Sequence, residues 1–227
     1  MDTLLKNLKV EINDKLFLKD PETTELGKRI VGHSILMIHE MGFEQFTFKK
    51  LGKAIHSNES SIYRYFENKH KLLLYLTSWY WSWLEYHLVL GTLPLSDPEA
   101  RLKKAIIIVT DEISQDSSFD HINESVLNKI VVAEYSKSYL TKEVDLENKQ
   151  GYFAVYKRLV LRIRDMIVEV NKDYLYPASL SSMIIEGALH QHFLKEHFTA
   201  ITDCDLTTTP TTYFLNLIDQ LLLTYER

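Results

Sequence analysis

Apolar residues return every three or four positions along most of this chain, and no window alternates convincingly with period two. Leu26, Ile30, Val31, Ile35, Ile38 and Met41 trace one helical face. Thr23 or Thr24 stands ahead of them as an N-cap with Glu25 in the first turn, and Gly42 follows as a helix-ending residue. Thr47 caps the next helix, about nine residues long, which turns Phe48, Leu51 and Ile55 to one side and Lys49, Lys50 and Lys53 to another. After a break at His56-Ser57-Asn58, a second short helix is predicted from Glu59 to Phe66 with Asn58 as its cap. Asn68 then caps a long helix from Lys69 to about Leu90, roughly 30 Å at 1.5 Å per residue.

Residues 91–98 read as a linker. Asp97, with Pro98 at the first helical position, opens a helix to about Ser114, and residues 115–118 form a loop. A helix from about Asn123 to Ser136 ends in a polar joint near Thr141. Residues 145–171 read as one long amphipathic helix with Phe153, Tyr156, Leu159, Val160, Ile163, Ile167 and Val170 inward. Pro177 stands near the start of a helix reaching about Phe198, TDCDLTTTP is a loop, and a last helix runs from about Thr211 to Tyr225. Residues 1–23 form an N-terminal arm with no assigned structure. The expectation is an all-α fold of about nine helices.

Composition supports this. Of 227 residues, 45 % are hydrophobic, enough for a sizeable core, and 7 Gly with 5 Pro leave few breaks. No run of about 18 uncharged apolar residues is present, so no transmembrane helix is expected. MDTLLKNLKVEINDKLF lacks the apolar stretch of a signal peptide. A single cysteine, Cys204, excludes an internal disulfide and a Cys-based zinc site and fits a cytoplasmic protein. The net charge of −5 is unevenly spread: residues 1–75 hold 12 basic and 10 acidic side chains, whereas the remainder holds 14 and 21. Within residues 45–75 the balance is six basic to two acidic, a small island of the kind that meets a polyanion.

Two short helices joined by a tight break, behind one longer helix, are the pattern of a helix-turn-helix. Leu51, Ile55 and Ile62 anchor the pair from inside, with Tyr65 and Phe66 behind them, and Gly52 allows the backbones to approach. The second helix then turns Glu59, Ser60, Ser61, Tyr63 and Arg64 outward, as a helix reading base edges in a major groove requires. Lys49, Lys50, Lys53 and Lys69 border it with the charge and reach that phosphates need. Thr47, Asn58 and Tyr63 join them as candidate DNA-binding residues.

The segment TFKKLGKAIHSNESSIYRYFENKHKLLLYL resembles the DNA-binding motif of TetR-family transcriptional regulators. Tyr63, Phe66 and Lys69 fit the family's recognition helix and the cap of its fourth helix, and GHSILMIHEMGFEQFTF fits its first helix. Two positions depart from the family pattern: His56-Ser57 replaces the usual Gly-Val turn, and Glu59 stands where a neutral or basic residue is commoner. The resemblance covers residues 24–76. It implies a helix-turn-helix domain over 24–68, joined by a long fourth helix to a ligand-binding and dimerisation body over 69–227. It also implies a ligand-responsive regulator, a repressor by family habit, that binds a palindromic operator on double-stranded DNA as a homodimer. The effector would be a small apolar or aromatic molecule, with Trp79, Trp83, Tyr86, Ile107 and Tyr156 as candidate pocket residues. Ile184, Ile185, Leu189, Phe193, Phe214, Leu217, Leu221 and Leu222 are the candidate dimer surface on the last two long helices. The rival reading is a helical ligand-binding or scaffolding protein whose helix-turn-helix no longer reads DNA.

Other chemistry finds no support in the sequence. His190 and His192 point about 200° apart on a helix and cannot share an ion, so these histidines, with His197, read as structural or interface residues. No nucleophile elbow, phosphate loop or dinucleotide fingerprint is present, and Glu112, Asp116 and Asp120 read as solvated loop charges. The expectation is a protein with no enzymatic activity, cofactor or metal.

Overall fold

The computed structural model describes residues 12–115 and 119–223. The described residues are all-α, with no strand among them. Helix α1 spans Glu25–Gln45, α2 Phe48–Ala54, α3 Glu59–Tyr63 and α4 Lys69–Thr92. They are followed by α5 (Pro98–Thr110), α6 (Glu124–Ala133), α7 (Tyr135–Tyr139), α8 (Val144–Lys149), α9 (Ala154–Val170), α10 (Pro177–His197) and α11 (Pro210–Ile218). A π turn, Asp219–Leu223, continues α11. The predicted end of the last helix at Tyr225, residues 1–11 of the arm and the loop at 116–118 with Asp116 lie outside the described residues.

Most helices begin where a side chain accepts a hydrogen bond from an otherwise orphaned backbone amide. Thr24 Oγ1 accepts from the Gly27 amide at 3.0 Å, which settles the choice between Thr23 and Thr24. Asn68 Oδ1 accepts from Lys71, Asp97 Oδ2 from Ala100, Asn123 Oδ1 from Val126 and Thr209 Oγ1 from Thr212.

Two predicted helices are broken, which lifts the number of helices to eleven among the described residues. The expected 145–171 helix stops at Lys149 and restarts at Ala154, because Gly151 adopts φ +83°. That left-handed value suits a residue without a Cβ and cannot continue a right-handed helix. The expected 123–136 helix turns at Glu134, whose φ −106° and ψ 15° divide α6 from α7. Its side chain is committed elsewhere, as described below.

The chain packs as two units. The first comprises residues up to Ser82 with Ile113–Ala154, and the second Trp83–Glu112 with the residues from Val155 onward. In the first, Ile30, Val31, Ile35, Leu51, Ile62, Phe66, Leu72, Trp79 and Trp81 are all buried. Polar ties cross this core. Glu22 Oε1 accepts from Tyr75 Oη and pairs with His121 Nε2, both at 3.1 Å, and His70 Nε2 lies 2.7 Å from Glu147 Oε1. The arm before α1 belongs to this unit too, with Leu16 buried and the Leu18 amide donating to Tyr65 O at 2.7 Å.

In the second unit Leu88, Leu102, Ile106, Leu159, Ile163, Ile167, Ile184, Phe214 and Ile218 form the core. Thr110 Oγ1 donates to Thr211 Oγ1 at 3.0 Å, and His192 Nε2 lies 2.9 Å from Thr110 O, so that histidine is spent on a helix end. Among the described residues, no helix is long and apolar enough to cross a membrane.

Glu85, in the second unit, is buried between two arginines. Arg158 donates to both its oxygens, with Nε 2.7 Å from Oε1 and Nη2 2.6 Å from Oε2, and Arg162 Nε donates to Oε1 at 2.7 Å. Burial by itself pushes the Glu85 pKa up, but the hydrogen bonds and charges of the two arginines outweigh it and hold the carboxyl below its ordinary value. A group with a depressed folded pKa contributes stability above its unfolded pKa and loses it as the pH falls through the folded value. Glu85→Gln is therefore expected to be less stable than the parent at pH 7, with the gap shrinking once the pH drops below about 4. Urea unfolding midpoints of both proteins at pH 7 and pH 3 test this, and a gap of equal size at the two values would contradict it.

Candidate nucleic-acid interface

A seven-residue helix and a five-residue helix cannot hold themselves together in water, so α2 and α3 depend on anchors and caps. Leu51, Ile55, Ile62, Tyr65 and Phe66 are buried, as their spacing predicts. Thr47 Oγ1 accepts from the Lys50 amide at 3.2 Å. Asn58 Oδ1 accepts three bonds, from the Ser61 amide, Ser61 Oγ and Ser60 Oγ, at 2.7–2.8 Å. This carbonyl cap fixes the first turn of α3 and spends the donors of both serine hydroxyls.

The break between the helices is tight. Ser57 N donates to Gly52 O at 2.8 Å, and a Cβ added at Gly52 would meet Ser57 O at 2.9 Å, so the close approach needs glycine there. His56 takes φ +51°, the one positive value at a non-glycine position among the described residues. It stands where the TetR resemblance leads one to expect glycine, and the turn forms in spite of it.

The outward face carries the predicted reading residues. Ser60, Tyr63 and Arg64 are exposed and Glu59 and Ser61 half-exposed, while the Tyr63 ring packs edge-on against Phe48 at 5.0 Å. The lysines divide into two groups. Lys49 and Lys53 are exposed. Lys50 Nζ donates to Gln45 O at 2.8 Å, and Lys69 Nζ donates to Phe43 O at 3.0 Å and Glu44 O at 3.2 Å. Both of the latter ammonium groups sit on the carbonyls that follow Gly42.

The predicted pocket and dimer residues are placed differently from one another. In the first unit Trp79 is buried, edge-on to Phe119 at 5.0 Å. In the second, Trp83 lies against His87 at 4.4 Å, Tyr86 and Ile107 are half-buried, and Tyr156 Oη donates to Glu186. Of the eight dimer candidates, Ile184, Ile185, Leu189, Phe214 and Leu222 are enclosed inside the single chain. The Phe214 ring, for instance, lies over Gly187, where a Cβ would be 2.8 Å away. Those five pack the protomer's own core, and Phe193, Leu217 and Leu221 remain partly accessible.

Sequence reasoning missed Glu134, whose Oε1 accepts from the Phe43 amide at 3.0 Å across 91 positions. No local signal announces a contact at that separation.

Residues 35–76 match the model of the family described as bacterial regulatory proteins, tetR family. The likeness in sequence is confined to this head, about a fifth of the chain. The match runs from the middle of α1 into the start of α4 and so covers the whole helix-turn-helix. No curated protein gives a significant sequence match. Solved structures share the fold across most of the chain. The protein described as superantigen PfiT aligns with a TM-score of 0.58 at 16 % identity, over 91 % of this chain and all of its own. AibR, in complex with isovaleryl coenzyme A and operator DNA, aligns at 0.55 and 14 % over 85 % of this chain and 96 % of its own. FadR from Bacillus halodurans, described as a fatty acid degradation regulator, aligns at 0.55 and 19 % over 88 % and 98 %. At such identities the likeness is one of fold.

A left-handed backbone costs a residue with a Cβ roughly 1–2 kcal/mol, from which the greater chain entropy of glycine must be subtracted. His56→Gly is therefore expected to stabilise the first unit by about 0.5–1 kcal/mol. A higher urea midpoint with an unchanged denaturant slope is the signature, and a lower midpoint would show that His56 contributes something the turn geometry does not reveal.

Proposed function

We propose that this chain is a ligand-responsive transcriptional regulator that binds a palindromic operator as a homodimer and, by family habit, represses. The observation that carries the reading is the capped, anchored α3, which turns Glu59, Ser60, Tyr63 and Arg64 to solvent inside a TetR-type head. An α-helix fits the major groove, and its N-terminal residues meet base edges. Residues 24–68 serve as the reading head and 69–227 as the sensing and dimerising body. Thr47, Lys49, Lys53, Asn58 and Tyr63 contact the phosphate backbone, while Glu59 and Arg64 read bases. Two heads at fixed separation are a mechanical requirement of paired half-sites, which is why a twofold dimer belongs to the proposal. The accessible Phe193, Leu217 and Leu221 contribute to that interface. The protein acts in the cytoplasm, where it meets both DNA and effector.

The effector is a small, mostly apolar or aromatic molecule held by the body, with Trp83, Tyr86, Ile107 and Tyr156 among its contacts. AibR and FadR are described as working with an acyl thioester and in fatty acid degradation, which supports this ligand class without fixing the molecule. Effector binding changes DNA affinity only by its differential affinity for two dimer states, typically about 1–3 kcal/mol.

Selection of bound duplexes from a random-sequence pool, followed by mobility shifts on the enriched site, tests the reading. Arg64→Ala is expected to lose about 1–3 kcal/mol of discrimination between the selected and scrambled duplexes. Lys49→Ala is expected to weaken both alike and to lower the salt slope by about one. If the wild-type protein enriches no sequence at any salt concentration, the head no longer reads DNA and the scaffolding alternative stands.

A further inference from the structure

A kink at Gly42, near the C-terminal end of α1, is held from both sides by charged groups that lie outside the helix-turn-helix. Gly42 takes φ +75° and ψ 154°, a conformation essentially confined to glycine, and so marks the point where the chain changes direction. The next residue is gripped on both sides of its Cα. The Phe43 amide donates to Glu134 Oε1 at 3.0 Å, and the Phe43 carbonyl accepts from Lys69 Nζ at 3.0 Å. Lys69 also holds the Glu44 carbonyl at 3.2 Å, and its ammonium lies 4.7 Å from the centre of the Phe43 ring. On the far side Lys137 Nζ meets Glu134 Oε2 at 2.7 Å and Glu44 Oε1 at 3.3 Å. Glu134 and Phe43 are both buried, so the bond between them is shielded from water.

The contact coincides with a break in the helical pattern. Glu134 sits at the turn that divides α6 from α7, where its carboxylate reaches the head. A carboxylate accepting an amide bond in a buried place is a fixed register mark, because neither partner finds a substitute when the other moves.

We infer that Glu134 and Lys69 are positioning residues for DNA reading: by clamping the Phe43 backbone they set the direction in which α2 and α3 leave α1. Lys69 then acts through backbone carbonyls and not through a phosphate, contrary to its sequence-based assignment. The inference rests on the DNA-binding reading proposed above. In that reading Glu134 and Lys137 belong to the body, so the clamp is also where the α6–α7 corner grips the head.

The test uses the full-length protein and the duplex enriched by the wild type. Glu134→Ala and Lys69→Met are each expected to bind that duplex about tenfold more weakly while binding a scrambled duplex at low salt as the wild type does. Lys69→Met should keep the wild-type salt slope, whereas loss of a phosphate contact would lower it by about one. Glu134→Gln, which retains an acceptor oxygen for the Phe43 amide, should recover most of the affinity. Hydrogen exchange followed at the Phe43 amide should be at least tenfold faster in Glu134→Ala, with the amides of Ile30–Ile38 unchanged. A parallel loss on both duplexes would mean general damage and would overturn the inference, as would a reduced salt slope for Lys69→Met. Unchanged exchange at Phe43 would overturn it without reference to DNA. If the wild type itself enriches no sequence, the DNA-binding reading fails and the inference goes with it.

Discussion

The helix that turns the proposed reading residues to solvent is five residues long, and a peptide of that length has no helical stability of its own. Everything around α3 answers this constraint. Ile62 plugs it into the core from beneath, Asn58 satisfies its first turn, and Phe48 braces Tyr63 from the side. Its angle to the rest of the head is then a property of neighbouring elements. For that reason the close approach at Gly52, the positive φ at His56 and the grip on the Phe43 backbone belong to one mechanical problem.

Features encoded within a few residues of each other were legible in the sequence. The caps Thr47, Asn58, Asn68 and Asp97 and the buried stripe of α1 all depend on neighbours at helical spacing. The all-α class and the helix-turn-helix follow from such signals. What escaped notice was non-local or conformational. Gly151 breaks an otherwise continuous amphipathic pattern by its backbone angle alone. Ile184, Ile185 and Phe214 read as an apolar surface because a helix pattern does not say whether its partner is the same chain or another. Nor does the sequence show that the Lys69 ammonium sits on the Phe43 and Glu44 carbonyls.

The buried and half-buried carboxylates of the two units are satisfied differently. In the first, carboxylates are divided among neutral donors, ammonium groups and histidines: Glu22 serves Tyr75 and His121, Glu134 an amide and Lys137, and Glu147 serves His70. In the second, Glu85 is enclosed by two guanidinium groups from one helix. Planar forks that donate in pairs fix orientation more firmly than a single ammonium does. Because a protein described as a superantigen carries the same fold, such particulars, more than the architecture, decide what this chain does.

The segment preceding α1 bears on how separable the head is. Leu16 is inside the core, the Leu18 amide completes the end of α3 through Tyr65 O, and Asn13 Nδ2 donates to Gln150 O at 3.0 Å. A fragment cut at the limits of the helix-turn-helix would expose an apolar socket and strand a carbonyl. The head is thus not a cassette that evolution or an engineer can graft onto another body by its motif alone. Its portable unit includes the stretch in front, and a fusion partner joined at residue 24 would compete for the place that Leu16 fills.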